Sequence, residues 1–243
     1  MKRTLLSLLT AYLLAACQPS LTPVALPTPT VLEVQVTPAL THLGQSFNDC
    51  ANELENSGLV VLETPAALLD LNRSALALRW GPGYSGADQP GYAAVIGQEE
   101  LAVIVHPDNP LNSISRADLQ ALYSGALRSW PQTDPAIEVQ PWVYPDGDDV
   151  LAVFQSALLD GSAPSPRAVY NAPDPAAVLE AVAENPGAVG FLPARRVNSS
   201  VKALVLEGID PAQLRQPILA WSNVEPKGPE KAWLICLQER LSE

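Results

Sequence analysis

The 243-residue chain holds only two histidines, His42 and His106, and three cysteines, Cys17, Cys50 and Cys236. Two histidines argue against a multi-histidine metal centre, and no G-x-S-x-G turn is present to expose a serine nucleophile. Also missing are H-E-x-x-H, Cys-x-x-Cys, a phosphate-cradling Walker loop and a dinucleotide fingerprint. Asp148 and Asp149 are adjacent, so on a helix they point different ways and cannot flank a scissile bond. The expectation is a non-enzyme with no cofactor and no resident metal. Basic residues are scarce as well: 14 Lys and Arg against 26 Asp and Glu give a net charge of −12. Nucleic acid is therefore excluded as a partner, because phosphate binding needs a basic surface. Charged residues make up only 16% and hydrophobic ones 47%, which supplies a core and rules out global disorder. The length suits one large domain or two lobes of about 100 residues each.

Lys2 and Arg3 precede an apolar run from Leu5 to Leu14, then Ala15, Ala16 and Cys17. A charged start, a short greasy segment and small residues before a cut form an export signal, and the run is too short for a bilayer of about 30 Å. Leu14-Ala15-Ala16-Cys17 resembles a bacterial lipobox, which implies lipidation at Cys17 and loss of residues 1–16. Residues 17–30 carry prolines at 19, 23, 27 and 29 and read as an extended tether with a reach of about 40 Å. The expected address is the extracytoplasmic face of a bacterial cell membrane, held by lipid alone. There Cys50 and Cys236 are expected to pair and to staple the first helix to the last, two free thiols being the alternative.

Leu32–Val36 alternates as a half-buried strand, and a helix from Thr41 to Gly58 buries Leu43, Phe47, Cys50, Ala51 and Leu54. Strands are expected at 59–62, 75–78, 92–96, 101–105, 137–144, 188–192, 201–206 and 218–221, with a long loop around Pro82–Gly91. Helices are expected at 115–123, capped by Ser115 with Asp118 in a capping box, at 150–159, after Asp174-Pro175, and from Pro229 onward. Alternating strands and helices argue for α/β lobes.

Four segments in fixed order carry a resemblance: Leu101–Val105 with His106-Pro107-Asp108-Asn109-Pro110; Leu119–Trp130 with Tyr123-Ser124-Gly125; Asn185-Pro186-Gly187-Ala188-Val189-Gly190-Phe191; and Val201–Leu204 with Glu207-Gly208. Together they resemble the solute-binding proteins of phosphate-type ABC transporters, a two-lobed periplasmic binding protein class. The resemblance implies an α/β fold of two Rossmann-like lobes joined by two crossover strands. Residues 31–104 plus 189–243 would form lobe one and 105–188 lobe two. It also implies a monomer that encloses a small molecule or ion in its cleft and presents it to an ABC permease. A cleft that has lost solute capture and serves sensing or protein contact is the second reading.

In that family, oxyanions are held by backbone N–H groups and hydroxyls at helix N-termini. The matching positions here are Thr37, Ala39, Leu40 and Thr41 after the first strand, Arg79 and Trp80 after the third, and Tyr144, Asp146, Gly147, Asp148 and Asp149. Thr37 and Thr41 equally suit helix capping, and Arg79 equally suits packing its stem on an aromatic. The family's Gly-Ser-Gly-Thr turn is altered: Gly147 and Phe154 match, but Asp148, Asp149 and Val150 stand between them. Two carboxylates there oppose a phosphate, so phosphate capture of the familiar kind is not expected. Those carboxylates read as a helix start, or alternatively as ligands for a cation such as Ca²⁺. Glu99-Glu100 reads as a solvated pair.

Overall fold

A computed structural model describes residues 29–81, 90–130 and 136–242. The expected leader, Cys17 and most of the tether and of the Pro82–Gly91 loop lie outside these described residues. The strands are β1 (Thr30–Val36), β2 (Ser57–Glu63), β3 (Leu76–Trp80), β4 (Tyr92–Val105), β5 (Ser113–Ser115), β6 (Gln140–Val143), β7 (Tyr170–Asn171), β8 (Ala188–Pro193), β9 (Lys202–Ala203), β10 (Val205–Glu207) and β11 (Arg215–Ser222). The α-helices are α1 (Gly44–Asn52), α2 (Arg116–Ser124), α3 (Asp149–Leu158), α4 (Pro175–Glu184), α5 (Pro211–Leu214) and α6 (Gly228–Leu241).

One sheet path runs β2-β1-β3-β11-β4-β8-β6-β7, with β9 on β4, while β5 and β10 form a separate pair. β1 lies parallel to β2 and β3, and β11 enters antiparallel between β3 and β4. The long strand β4 joins two halves. Its Tyr92–Glu100 part pairs with β11, and its Leu101–Val105 part pairs with β8. The two separate strands expected at 92–96 and 101–105 are thus one continuous strand. The polar stretch between them reads as a break, but its ladder bonds to β11 are kept.

Expected helix starts form as capping chemistry dictates. The Ser115 hydroxyl accepts from the Asp118 N–H, and the Asp174 carboxylate accepts from Ala176 and Ala177 N–H groups ahead of Pro175. The first helix is split: a 3₁₀ turn covers Pro38–Leu43 and α1 starts at Gly44. In the first half, α1 and α6 cover the sheet, with Trp233 donating to the Phe47 carbonyl at 3.0 Å. Cys50 and Cys236 are bonded, their Cα atoms 5.7 Å apart. In the second half, Phe154 of α3 stacks on Phe191 of β8 at 3.8 Å between ring centroids, with Tyr123 and Tyr144 edge-on to Phe191. This aromatic knot fixes α3 against the sheet, and so fixes where the helix start points.

Candidate functional site

β1 and β3 end side by side, and parallel strands present their carboxyl ends as a natural ligand crevice. Thr37 follows β1, fully buried, with its N–H bonded to the Leu78 carbonyl at 3.0 Å. It precedes the 3₁₀ turn but makes no side-chain capping bond. Arg79 and Trp80 close β3, both buried, and the Arg79 guanidinium lies over the Trp221 ring at 4.5 Å. Facing them from the other half is the start of α3.

There the two adjacent aspartates divide. Asp148 is the N-cap, its carboxylate accepting from Val150 N–H at 2.7 Å and Leu151 N–H at 3.4 Å. Asp149 turns the other way, across the seam. Its carboxylate receives the Arg79 guanidinium at 2.5 Å and the Trp80 backbone N–H at 3.0 Å. Burial pushes the Asp149 pKa up against the pull of Arg79 and the Trp80 N–H, while the Thr37 hydroxyl stands beside the carboxylate, buried and without a hydrogen bond among the described residues. Burial also raises Asp148, to about 7, with the Asp149 charge adding to the rise.

Thr37, Arg79, Trp80 and Asp149 are therefore brought together, with Asp148 beside them. The other expected positions are not part of this cluster. Thr41 donates to the Pro38 carbonyl and is met by the Arg196 guanidinium. Ala39 and Leu40 are buried in the core, and the Leu40 N–H bonds back to the Thr37 carbonyl at 2.9 Å. Tyr144 donates its hydroxyl to the Phe191 carbonyl at 2.6 Å. Asp146 and Gly147 lie exposed in the turn before α3, where Gly147 takes φ +83°, a conformation suited to glycine.

Glu99 corrects the expectation of a solvated pair. It is buried on β4, with the His42 ring at 3.0 Å and the Arg195 guanidinium at 3.6 Å, and only Glu100 remains open to water. Arg196 was missed: half-buried, it donates to the Pro38 carbonyl at 3.1 Å, and burial lowers its pKa. The only signal was two arginines directly after the apolar β8. One glycine pattern also needs correcting. Gly81, Gly83 and Gly86 carry G-x-G-x-x-G spacing after β3, but the next described element is strand β4, not the helix a dinucleotide site requires. Among the described residues, no cluster of three or more His, Cys, Asp or Glu could hold a metal ion. A cavity of about 780 Å³ lies apart from the cluster, lined by Gln98, Glu100, Arg195, Arg215 and Gln238 among others.

The comparisons with known proteins agree with this architecture. The chain is 28% identical over 142 residues to the phosphate-binding protein PstS of Bacillus subtilis (strain 168). That match covers 56% of this chain and 46% of the relative, so the chain spans about half the length of the curated protein it matches. A putative phosphate ABC transporter substrate-binding protein from Clostridium perfringens, solved with bound phosphate, superposes at TM-score 0.72 with 14% identity, covering 86% of this chain and 93% of that one. The CcmR regulatory domain of Synechocystis PCC6803, in complex with 2-PG, superposes at 0.62 with 13% identity over 87% of this chain and 97% of that one. At such identities these structures establish the two-lobed α/β fold. The PBP superfamily domain matches residues 87–224, more than half of the sequence, and the chain belongs to that family.

Proposed function

We propose that the chain is an extracytoplasmic solute-binding protein, anchored by lipid on Cys17, that takes a small anion between its lobes and serves an ABC permease. The observation that carries this reading is the convergence of Arg79 and the Trp80 N–H on one carboxylate between the two halves, with the buried Thr37 hydroxyl beside it. A cation, an oriented amide and a hydroxyl are the donors an oxyanion requires. The leader pattern and the proline-rich stretch support the address, and the likeness to a phosphate-binding protein supports the ligand class. In this proposal residues 31–104 plus 189–243 form lobe one and 105–188 lobe two, except that the Leu101–Val105 part of β4 and strands β8, β9 and β10 stand with lobe two through their pairing to one another, to β6 and to β5. The protein acts as a monomer.

A thermal-shift screen of the chain without residues 1–30 tests the reading, with phosphate, sulfate, molybdate, Ca²⁺, amino acids, polyamines and sugars. A ligand at 100 times its Kd stabilises by about 2.7 kcal/mol. A hit confined to anions is expected. A flat response favours the second reading, a sensing or protein-contact module, which the occupied state of the Arg79 seat already favours. The CcmR regulatory domain is a precedent for this fold outside transport.

A further inference from the structure

Arg79 and Asp149 are 70 residues apart, on opposite sides of the seam, and both are buried, with side-chain exposures of 6% and 1%. A helix start does not need such a bond: Asp148 already supplies the cap. Burying an ion pair costs desolvation that its attraction barely offsets, so the pair calls for a reason other than stability. The walls around it are in contact. A Cβ built on Gly81 would stand 3.1 Å from Val153 of α3, and one on Gly147 would stand 3.2 Å from Ala67 of the first half. The donors of lobe one thus hold an anion, and that anion belongs to lobe two.

We propose that the Asp149 carboxylate is a resident internal ligand, which occupies the anion seat and draws the lobes together in place of a solute. The inference deepens the solute-binding reading by naming the competitor at the same seat. An entering solute must itself be a small anion with acceptor oxygens, a carboxylate or a tetrahedral oxyanion among them, because it has to replace both the charge at Arg79 and the acceptor for the Trp80 N–H. Its apparent affinity is reduced by the fraction of molecules in which Asp149 has left, so a pair formed ~99% of the time weakens capture about 100-fold. Asp149 is then the residue that sets how much anion is needed before the cleft responds.

The test compares the full-length chain in detergent with its Asp149→Ala variant, using phosphate and acetate as probes. Calorimetry should show both anions binding the variant at least about tenfold more tightly than the parent chain. Acetate, a free copy of the missing side chain, should raise the melting temperature of the variant and leave the parent unchanged. Small-angle scattering should show the variant expanded alone and contracted with either anion. An additional Arg79→Met change should abolish all three responses. Should the alanine variant fail to fold, Asp149→Ser serves instead, and folding that returns only with acetate present supports the proposal. Equal affinities in parent and variant, or a well-folded variant that ignores both anions, overturns it. If the variant binds anions while the parent captures nothing from the solute panel, the internal ligand stands and the transport reading falls.

Discussion

Replacing Asp148 with asparagine separates its cap from its charge. The carboxylate caps α3 through two N–H groups, yet burial lifts its pKa from 3.8 to about 7. The unfolded chain releases that proton near pH 4, while the folded chain keeps it until near pH 7. Over that window the native state binds more protons, so stability falls as pH rises, by about 1.4 kcal/mol per pH unit. The benefit is fully present below about pH 4, and its loss by neutrality is on the order of 4 kcal/mol. Asparagine caps a helix as well as aspartate and carries no such proton. Urea midpoints between pH 4 and 8 for the parent and Asp148→Asn give a difference curve that reads Asp148 together with its coupling to the neighbouring Asp149. That curve should climb in favour of the variant as pH rises. A flat difference would refute the reasoning and mean that the cap bonds outweigh burial.

Further outcomes follow from the packing. Cys236→Ser opens a bond that spans 186 residues, which in the loop-entropy account costs up to about 5 kcal/mol, read from urea midpoints under non-reducing conditions. Tyr144→Phe leaves the buried Phe191 carbonyl without its 2.6 Å donor and should cost about 1–3 kcal/mol by thermal denaturation. Ser115→Ala removes the acceptor for the Asp118 N–H and should cost about 1 kcal/mol, while Ser115→Asp should restore it.

The caps at Ser115 and Asp174, and the apolar stripe Trp233, Leu237 and Leu241, are legible in the sequence because their chemistry is local: donor, acceptor and period lie within two turns. β4 was harder. Gln98-Glu99-Glu100 reads as a break, and the His42 ring and Arg195, distant in sequence, join the Glu100 N–H in making a buried Glu99 tolerable. The site followed the same rule. Thr37, Arg79 and Asp149 could each be named as candidates, yet Thr37 also suited capping and Asp149 suited repelling an anion. What the chain's order hides is that Asp148 and Asp149 diverge at the start of α3, one turning to its own helix and the other across the seam. Arg196 carried no pattern beyond a second arginine beside Arg195.

The place of β11 in the sheet has a consequence for how the molecule assembles. Although it comes near the end of the chain, it is inserted between β3 and β4, and α6 follows it to cover α1. Emerging from its N-terminus, the polypeptide makes β1, β2 and β3 early but cannot bridge them to β4 until residue 215 and beyond are available. The segment carrying α2, α3, α4, β6 and β8 is already in hand by then, and domains fold as units when their sequence is contiguous. The half nearest the N-terminus is therefore the last to close, its central strand delivered as a final stave between two that have been waiting.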